Sequence, residues 1–185
     1  MLSENDLWLL SLYRASEIDG SLFFGRLAKV LRPGKIQIDM TKHFADEAQH
    51  ASYWTRCIEE LGSEPLKLNE SYQDSYVSLT GIPANLMEVL AITQVFEQRV
   101  VNQYAMHLQV PELPSAVAST LERIMDDERW HLEWVRKALQ SLEPEYGRET
   151  VQATIRRFRE ADRDVYERAM REHAERLATL DPAHN

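Results

Sequence analysis

The chain is poor in the residues that punctuate or cross-link a fold. Its one cysteine, Cys57, excludes an internal disulfide framework and any four-cysteine zinc or iron–sulfur site within one chain. A reducing compartment is the natural setting. Glycine (6) and proline (7) are sparse, which favours long helices over many short strands. Basic residues are the minority: 21 Lys and Arg against 30 Asp and Glu leave a net charge of −9. That balance argues against nucleic acid as a partner and leaves room for cations. No stretch approaches the roughly 18 apolar residues that span a membrane. The run Leu7-Trp8-Leu9-Leu10 has no basic flank or cleavage site and follows Glu4 and Asp6, so it is not read as a signal peptide. Together these features lead us to expect a cytoplasmic protein that neither enters membranes nor binds nucleic acid.

What is present suits one ordinary globular unit. The 185 residues are 44% hydrophobic and 28% charged, enough to bury a sizeable core. Ser3 and Asp6 have capping spacing and open a first helix to about Leu31, with Leu10, Tyr13, Glu17 and Phe24 on one face. Gly20 and Gly25 are costly in a helix interior, about 1 kcal/mol each against Ala. Either a close approach by a neighbour requires them or they are tolerated imperfections. After Pro33-Gly34 a second helix runs from about Ile36 to Leu61, capped by Gly62, with His43, Glu47, His50 and Trp54 on its inward stripe. Residues 62–82 read as a crossover, with a short helical turn near Tyr72 to Leu79. Pro83 sits where a first-turn proline belongs and predicts a third helix to about Leu108, turning Leu90, Thr93, Glu97, Val101 and Tyr104 inward. A fourth runs from about Pro114 to Leu142, with Leu121, Ile124, Glu128, His131 and Val135 inward, broken by Pro144 and Gly147. A fifth, about Glu149 to Leu180, carries Val151, Ile155, Phe158 and Val165 on one stripe and dense charge elsewhere.

The chemistry lies in a repeated spacing. Asp46-Glu47-Ala48-Gln49-His50 and Asp127-Glu128-Arg129-Trp130-His131 each place an imidazole three residues after a glutamate, one helical turn away on the same face. Glu17 precedes Glu47 by 30 residues and Glu97 precedes Glu128 by 31, so helix-Glu followed by helix-Glu-x-x-His occurs twice. All six residues fall within about one turn of the middle of their expected helices. Antiparallel neighbours of similar length share a layer at half height, so the six side chains should converge. Four carboxylates buried together repel unless cations neutralise them. Two divalent ions would do so.

This constellation resembles the ferritin-like di-iron carboxylate superfamily over about residues 3–142. The short connections within the helix pairs and the long one between them give an all-α four-helix bundle with one long crossover (residues 1–147), ferritin-like by this resemblance; the additional C-terminal helix and tail (148–185), packed on the bundle or on a partner subunit, lies outside it. The resemblance implies Glu47 and Glu128 as bridging ligands, Glu17 and Glu97 as terminal ligands, and His50 and His131 each capping one of two iron ions. In related oxygenases the Asp of one motif supports the His of the other, so Asp46 should support His131 and Asp127 should support His50. The family's usual Arg before the motif His is replaced by Gln49 and Trp130, which alters the charge network. Ala48 stands where bacterioferritin carries its haem-ligating Met, so no haem is expected. With one cysteine there is no rubredoxin module of the rubrerythrin kind.

These departures favour a non-haem di-iron oxidoreductase that uses O2 or H2O2, with a small organic substrate an open option, over a ferritin-type ferroxidase or storage protein. A non-enzymatic helical interaction protein is the third reading. The same oxygen and nitrogen donors suit Fe/Fe, Mn/Fe and Mn/Mn. The long charged fifth helix favours a homodimer over a cage. Tyr13, one turn before Glu17, is the candidate catalytic tyrosine, set against an ordinary core role. Tyr104 is read as core or surface, and His43 as a helix-surface histidine. Trp54, Trp130 and Trp134 are read as packing, set against relaying electrons or shielding the site, and Phe23 and Phe24 as core packing, set against lining an access pocket. Arg156-Arg157-Phe158-Arg159, followed at once by acids, is read as a solvated face.

Overall fold

Ser3 caps the start of the first helix where its spacing suggests. Its Oγ accepts from the Asp6 backbone N–H at 3.0 Å, opening α1 (Glu4–Val30). A computed structural model describes residues 2–68, 76 and 79–178. Among them the chain is entirely helical. After α1 come α2 (Lys35–Glu60), α3 (Leu86–His107), α4 (Ser115–Tyr146), α5 (Arg148–Glu172) and the single turn α6 (Ala174–Leu177). Gly62 ends α2 at φ 76°, donating to Glu59 O while Ser63 donates to Ile58 O. That pair of bonds is the Schellman arrangement, which needs a residue in the left-handed region. Most of the helical turn expected near Tyr72 to Leu79 lies outside the described residues, as does the expected end of the fifth helix beyond Ala178.

Two boundaries differ from the sequence reading, both at prolines. Pro83 does not open α3. Asn85 does, its side chain accepting from Glu88 N at 3.0 Å while the Glu88 carboxylate accepts from Ala84 N at 2.8 Å. Two side chains that satisfy free amide N–H groups outweigh a proline that merely tolerates the position. Pro144 does not break α4, which continues to Tyr146. A proline in the last turn forfeits one hydrogen bond. Here the ladder closes beyond it, Gly147 N donating to Glu143 O at 2.8 Å, while Leu142 and Tyr146 pack against the core. Gly147, at φ 85°, makes the break.

α1 packs along α2, α3 along α4, and α2 against α4; α5 folds back onto α3 and α4, and α6 touches α1 and α5. The apolar side chains form two clusters. One joins the first halves of α2 and α3 to the second halves of α1 and α4 and to α5, through residues such as Phe24, Met40, Leu90, Val135 and Phe158. The other joins the opposite halves and α6, through Leu9, Trp54, Tyr104, Ile124 and Leu177. Side chains from opposite ends meet in this way only when α1 and α2, and α3 and α4, run antiparallel. Truncating a fully buried leucine such as Leu90 should cost about 2–5 kcal/mol. Between the two clusters lies a polar layer at mid-height. No helix among the described residues is long and apolar enough to cross a membrane.

Candidate metal centre

Each of the four long helices in contact through that layer contributes to it near its own middle. Glu17 comes from α1, Glu47 and His50 from α2, Glu97 from α3, and Glu128 and His131 from α4. All six are buried, none more than 6% exposed. The i, i+3 spacing sets each Glu beside its own His, and the antiparallel pairing brings the two halves face to face.

The contacts sort these residues into two overlapping groups. Glu17, Glu47, His50 and Glu128 each present a donor atom within 4.8 Å of the others, and so do His43, Glu47, Glu97 and His131. Glu128 spans the two histidines, with Oε1 3.2 Å from His50 Nδ1 and Oε2 3.1 Å from His131 Nδ1. Glu17 Oε2 lies 3.7 Å from His50 Nδ1, and Glu97 Oε2 lies 3.7 Å from His131 Nδ1. Glu47 belongs to both groups. Ions held by bonds of about 2.0–2.6 Å can gather donors at such spacings.

Two buried atoms, His50 Nδ1 and Glu128 Oε1, have no hydrogen-bond partner although they lie 3.2 Å apart. Buried polar atoms ordinarily find partners, so this pair suits a shared cation. The residues present therefore fit two divalent ions. The outer nitrogens of the same imidazoles are engaged across the motifs. His50 Nε2 is 3.2 Å from Asp127 Oδ2, and His131 Nε2 is 3.3 Å from Asp46 Oδ2. An Asp accepting from Nε2–H leaves Nδ1 as a lone pair directed at the centre.

Burial and charge act together on the layer. Burial, reinforced by Glu17, Glu97 and Glu128, pushes the Glu47 carboxyl well above the usual range. Burial opposes charge on His50, but Glu128 and Glu17 overrule it and push the imidazole up to about 12. His131 is likewise raised against burial, chiefly by Glu128. Protons thus occupy the metal-free layer, where cations would otherwise balance the carboxylates.

Two further residues that the sequence reading did not assign to the centre touch its carboxylates, His43 and Tyr104, while Trp134 and Lys42 contact the groups around them. His43, expected at the surface, is fully buried, its Nε2 3.1 Å from Glu47 Oε1 and 3.3 Å from Glu97 Oε1. Trp134 Nε1–H donates to His43 Nδ1 at 3.2 Å. An indole N–H can only donate, so Nδ1 must be the bare nitrogen and Nε2 must carry the proton. His43 therefore donates to the two carboxylates and does not ligate a metal while this bond stands. Burial and the neighbouring His131 keep it neutral, its pKa lowered to about 4.

Tyr104 donates to Glu17 Oε1 at 2.5 Å and accepts from Trp54 Nε1–H at 3.2 Å. That leaves Glu17 Oε2 for an ion. Tyr13, the candidate catalytic tyrosine, stacks edge-on to Tyr104, but its hydroxyl meets His107 Nδ1 at 3.3 Å. Lys42 pairs with Asp46, lies 3.9 Å from Asp127 Oδ1 and covers the Trp130 ring at 3.9 Å. It supplies a cation to both aspartates where the resemblance would have put an arginine. Its i, i+4 spacing to Asp46 was the available signal. Phe24 and Trp134 are buried as expected, whereas Phe23 is 37% exposed.

Gly20 settles one of the open glycines. A Cβ there would overlap Glu47 Oε2 and come within 3.3 Å of Glu47 Cδ, so the bare backbone makes room for this carboxylate. Gly25 faces the Phe44 ring in the same way, its Cβ position 3.1 Å from that ring. No family model matches the chain, and neither a curated protein nor a solved structure matches it.

Proposed function

We propose that this protein is a ferritin-like, dinuclear non-haem metalloenzyme, with iron as its metal, that reduces O2 or peroxide. In this reading Glu17 and His50 hold one ion, Glu97 and His131 hold the other, and Glu47 and Glu128 bridge them. The observation that carries it is the unpartnered pair His50 Nδ1 and Glu128 Oε1 at the heart of a layer of four buried carboxylates. A structural polar cluster would be expected to satisfy its own atoms. Two Fe(II) ions bound together supply two electrons to one oxidant, which a single ion does not.

The chain's own groups set the conditions. Asp46 and Asp127 hold the histidine tautomers. Tyr104 and His43 each tie one oxygen of a terminal carboxylate, and the two apolar clusters exclude water from above and below the layer. Glu128 lies between the two imidazoles, whereas Glu47 Oε2 lies against the bare backbone of Gly20 and Glu47 Oε1 lies near His43 and His131.

The test is metal content after purification without chelator, then optical absorption of the Fe(II)-loaded protein before and after oxygen. About two ions per chain and a near-ultraviolet ferric band that appears with oxygen are expected, both lost in Glu128→Ala. Absence of bound metal and of any spectral change would sink the reading. The ferritin-type alternative, in which Fe(II) itself is the substrate, predicts a particle of cage size by light scattering, where we expect a homodimer.

A further inference from the structure

α1 and α3 face each other across the layer with little direct packing, and a cavity of about 150 Å³ lies between them. Its walls are mainly Phe23, Phe24, Ile92, Phe96 and Val100, and its floor is made of candidate ligands, Glu17, Glu47, Glu97 and Glu128. Ser16, Asp19, Arg99 and Gln103 also line it. Gly20 forms part of the wall nearest Glu47. The cavity is therefore mainly apolar and meets the carboxylates at one end. Phe23, 37% exposed, and Pro83 are among its more exposed lining residues, together with Ser16, Asp19 and Arg99.

We propose that this cleft binds a small neutral apolar molecule of about the size of one six-membered ring, placed end-on to the dinuclear centre as its organic substrate. The role as substrate rests on the proposed centre, whereas binding as such does not. Size follows from volume, because an apolar cavity of about 150 Å³ accepts benzene. Neutrality follows from the floor. The lining's basic side chain, Arg99, is paired with Asp162 at 3.2 Å, and two divalent ions would only cancel the four carboxylates, leaving no net charge to attract an anion. A cation would have to be desolvated along aromatic and aliphatic walls to reach the floor.

Binding can be read without turnover. The metal-free full-length chain is titrated with fluorobenzene, followed by fluorine NMR, with 4-fluorobenzoate as its anionic twin. Saturable binding of one fluorobenzene per chain is expected, at least tenfold weaker in Val100→Phe, which fills the cleft. Phe96→Ala should widen it and improve 1-fluoronaphthalene binding at least tenfold, a gain that misfolding cannot produce. 4-Fluorobenzoate should show no saturable binding. The proposal is overturned if fluorobenzene fails to saturate, if it binds wild type and folded Val100→Phe alike, or if the benzoate binds as well. Metal titration of the same samples separates the two ideas. Two ions without fluorobenzene binding would remove the cleft alone, and fluorobenzene binding without metal would remove the centre alone.

Discussion

Replacing Gly20 with alanine adds one methyl group at the wall of the centre, and its effects on folding and on metal binding should part company. For the helix alone the change is favourable, by up to about 1 kcal/mol. Against this, the new Cβ would overlap Glu47 Oε2 and sit 3.3 Å from Cδ. The end of a glutamate side chain can rotate aside. Doing so gives up the 3.1 Å contact with His43, worth about 0.5–1.5 kcal/mol. The two terms nearly cancel, so the metal-free protein should unfold within about 1 kcal/mol of wild type. Metal binding has no such compensation, because Glu47 serves both donor groups. A displaced bridging carboxylate should weaken affinity by at least the tenfold to hundredfold seen when supporting contacts are lost, or about 1.4–2.8 kcal/mol. Calorimetric metal titration beside chemical denaturation of the metal-free protein measures both quantities. Gly25→Ala is the internal control: same helix, same chemistry, but its Cβ meets the Phe44 ring, which is 38% exposed and free to yield. Unchanged metal affinity in Gly20→Ala, or equal losses in both variants, would refute the reasoning.

Other outcomes follow from the same geometry. Glu47→Gln removes a carboxyl whose charged form burial and three other carboxylates disfavour, so the metal-free variant should be at least as stable as wild type by thermal unfolding while binding metal at least tenfold more weakly. The pH dependence has a definite sign. Folding raises the His50 imidazole to about 12, so its contribution is complete below its unfolded value near 6.5 and is lost as pH rises toward 12. Metal-free protein in chelator should therefore lose melting temperature from neutral pH upward, and the loaded protein should lose less. Because ions displace those protons, metal binding in weakly buffered solution should release acid, and affinity should rise with pH. Trp134→Phe leaves buried His43 Nδ1 without its donor and should cost about 1–3 kcal/mol in denaturant unfolding, while the count of two ions stays unchanged.

How far the chain could be read in advance depended on whether a feature was local. The helices and the six central residues were legible because the evidence was periodic and repeated: Glu-x-x-His fixes a helix face, and its recurrence after a glutamate about 30 residues upstream fixes a layer. Contacts that depend on what another helix presents were not. Tyr104 stood on the expected inward face of α3, but that it reaches Glu17 on α1 is set by how the two helices face each other. His43 also lay on an inward stripe. Histidine suits surface and core alike, and only Trp134, 91 residues away, decides its tautomer. Gly20 was marked as unusual, but what it accommodates could be seen only once Glu47 was in place. The misplaced ends at Pro83 and Pro144 came from reading proline alone, when neighbouring caps and core contacts decide where a helix stops.

The central claim is that six buried residues hold two ions, and it is tested most directly by anaerobic titration of the metal-free chain with Fe(II), counting bound ions per chain. Two ions for wild type, with binding at both positions weakened in Glu128→Gln because that carboxylate spans both histidines, is the predicted result. A wild-type chain that binds no ion above background, or that binds the same number with the same affinity after Glu128→Gln, would contradict it.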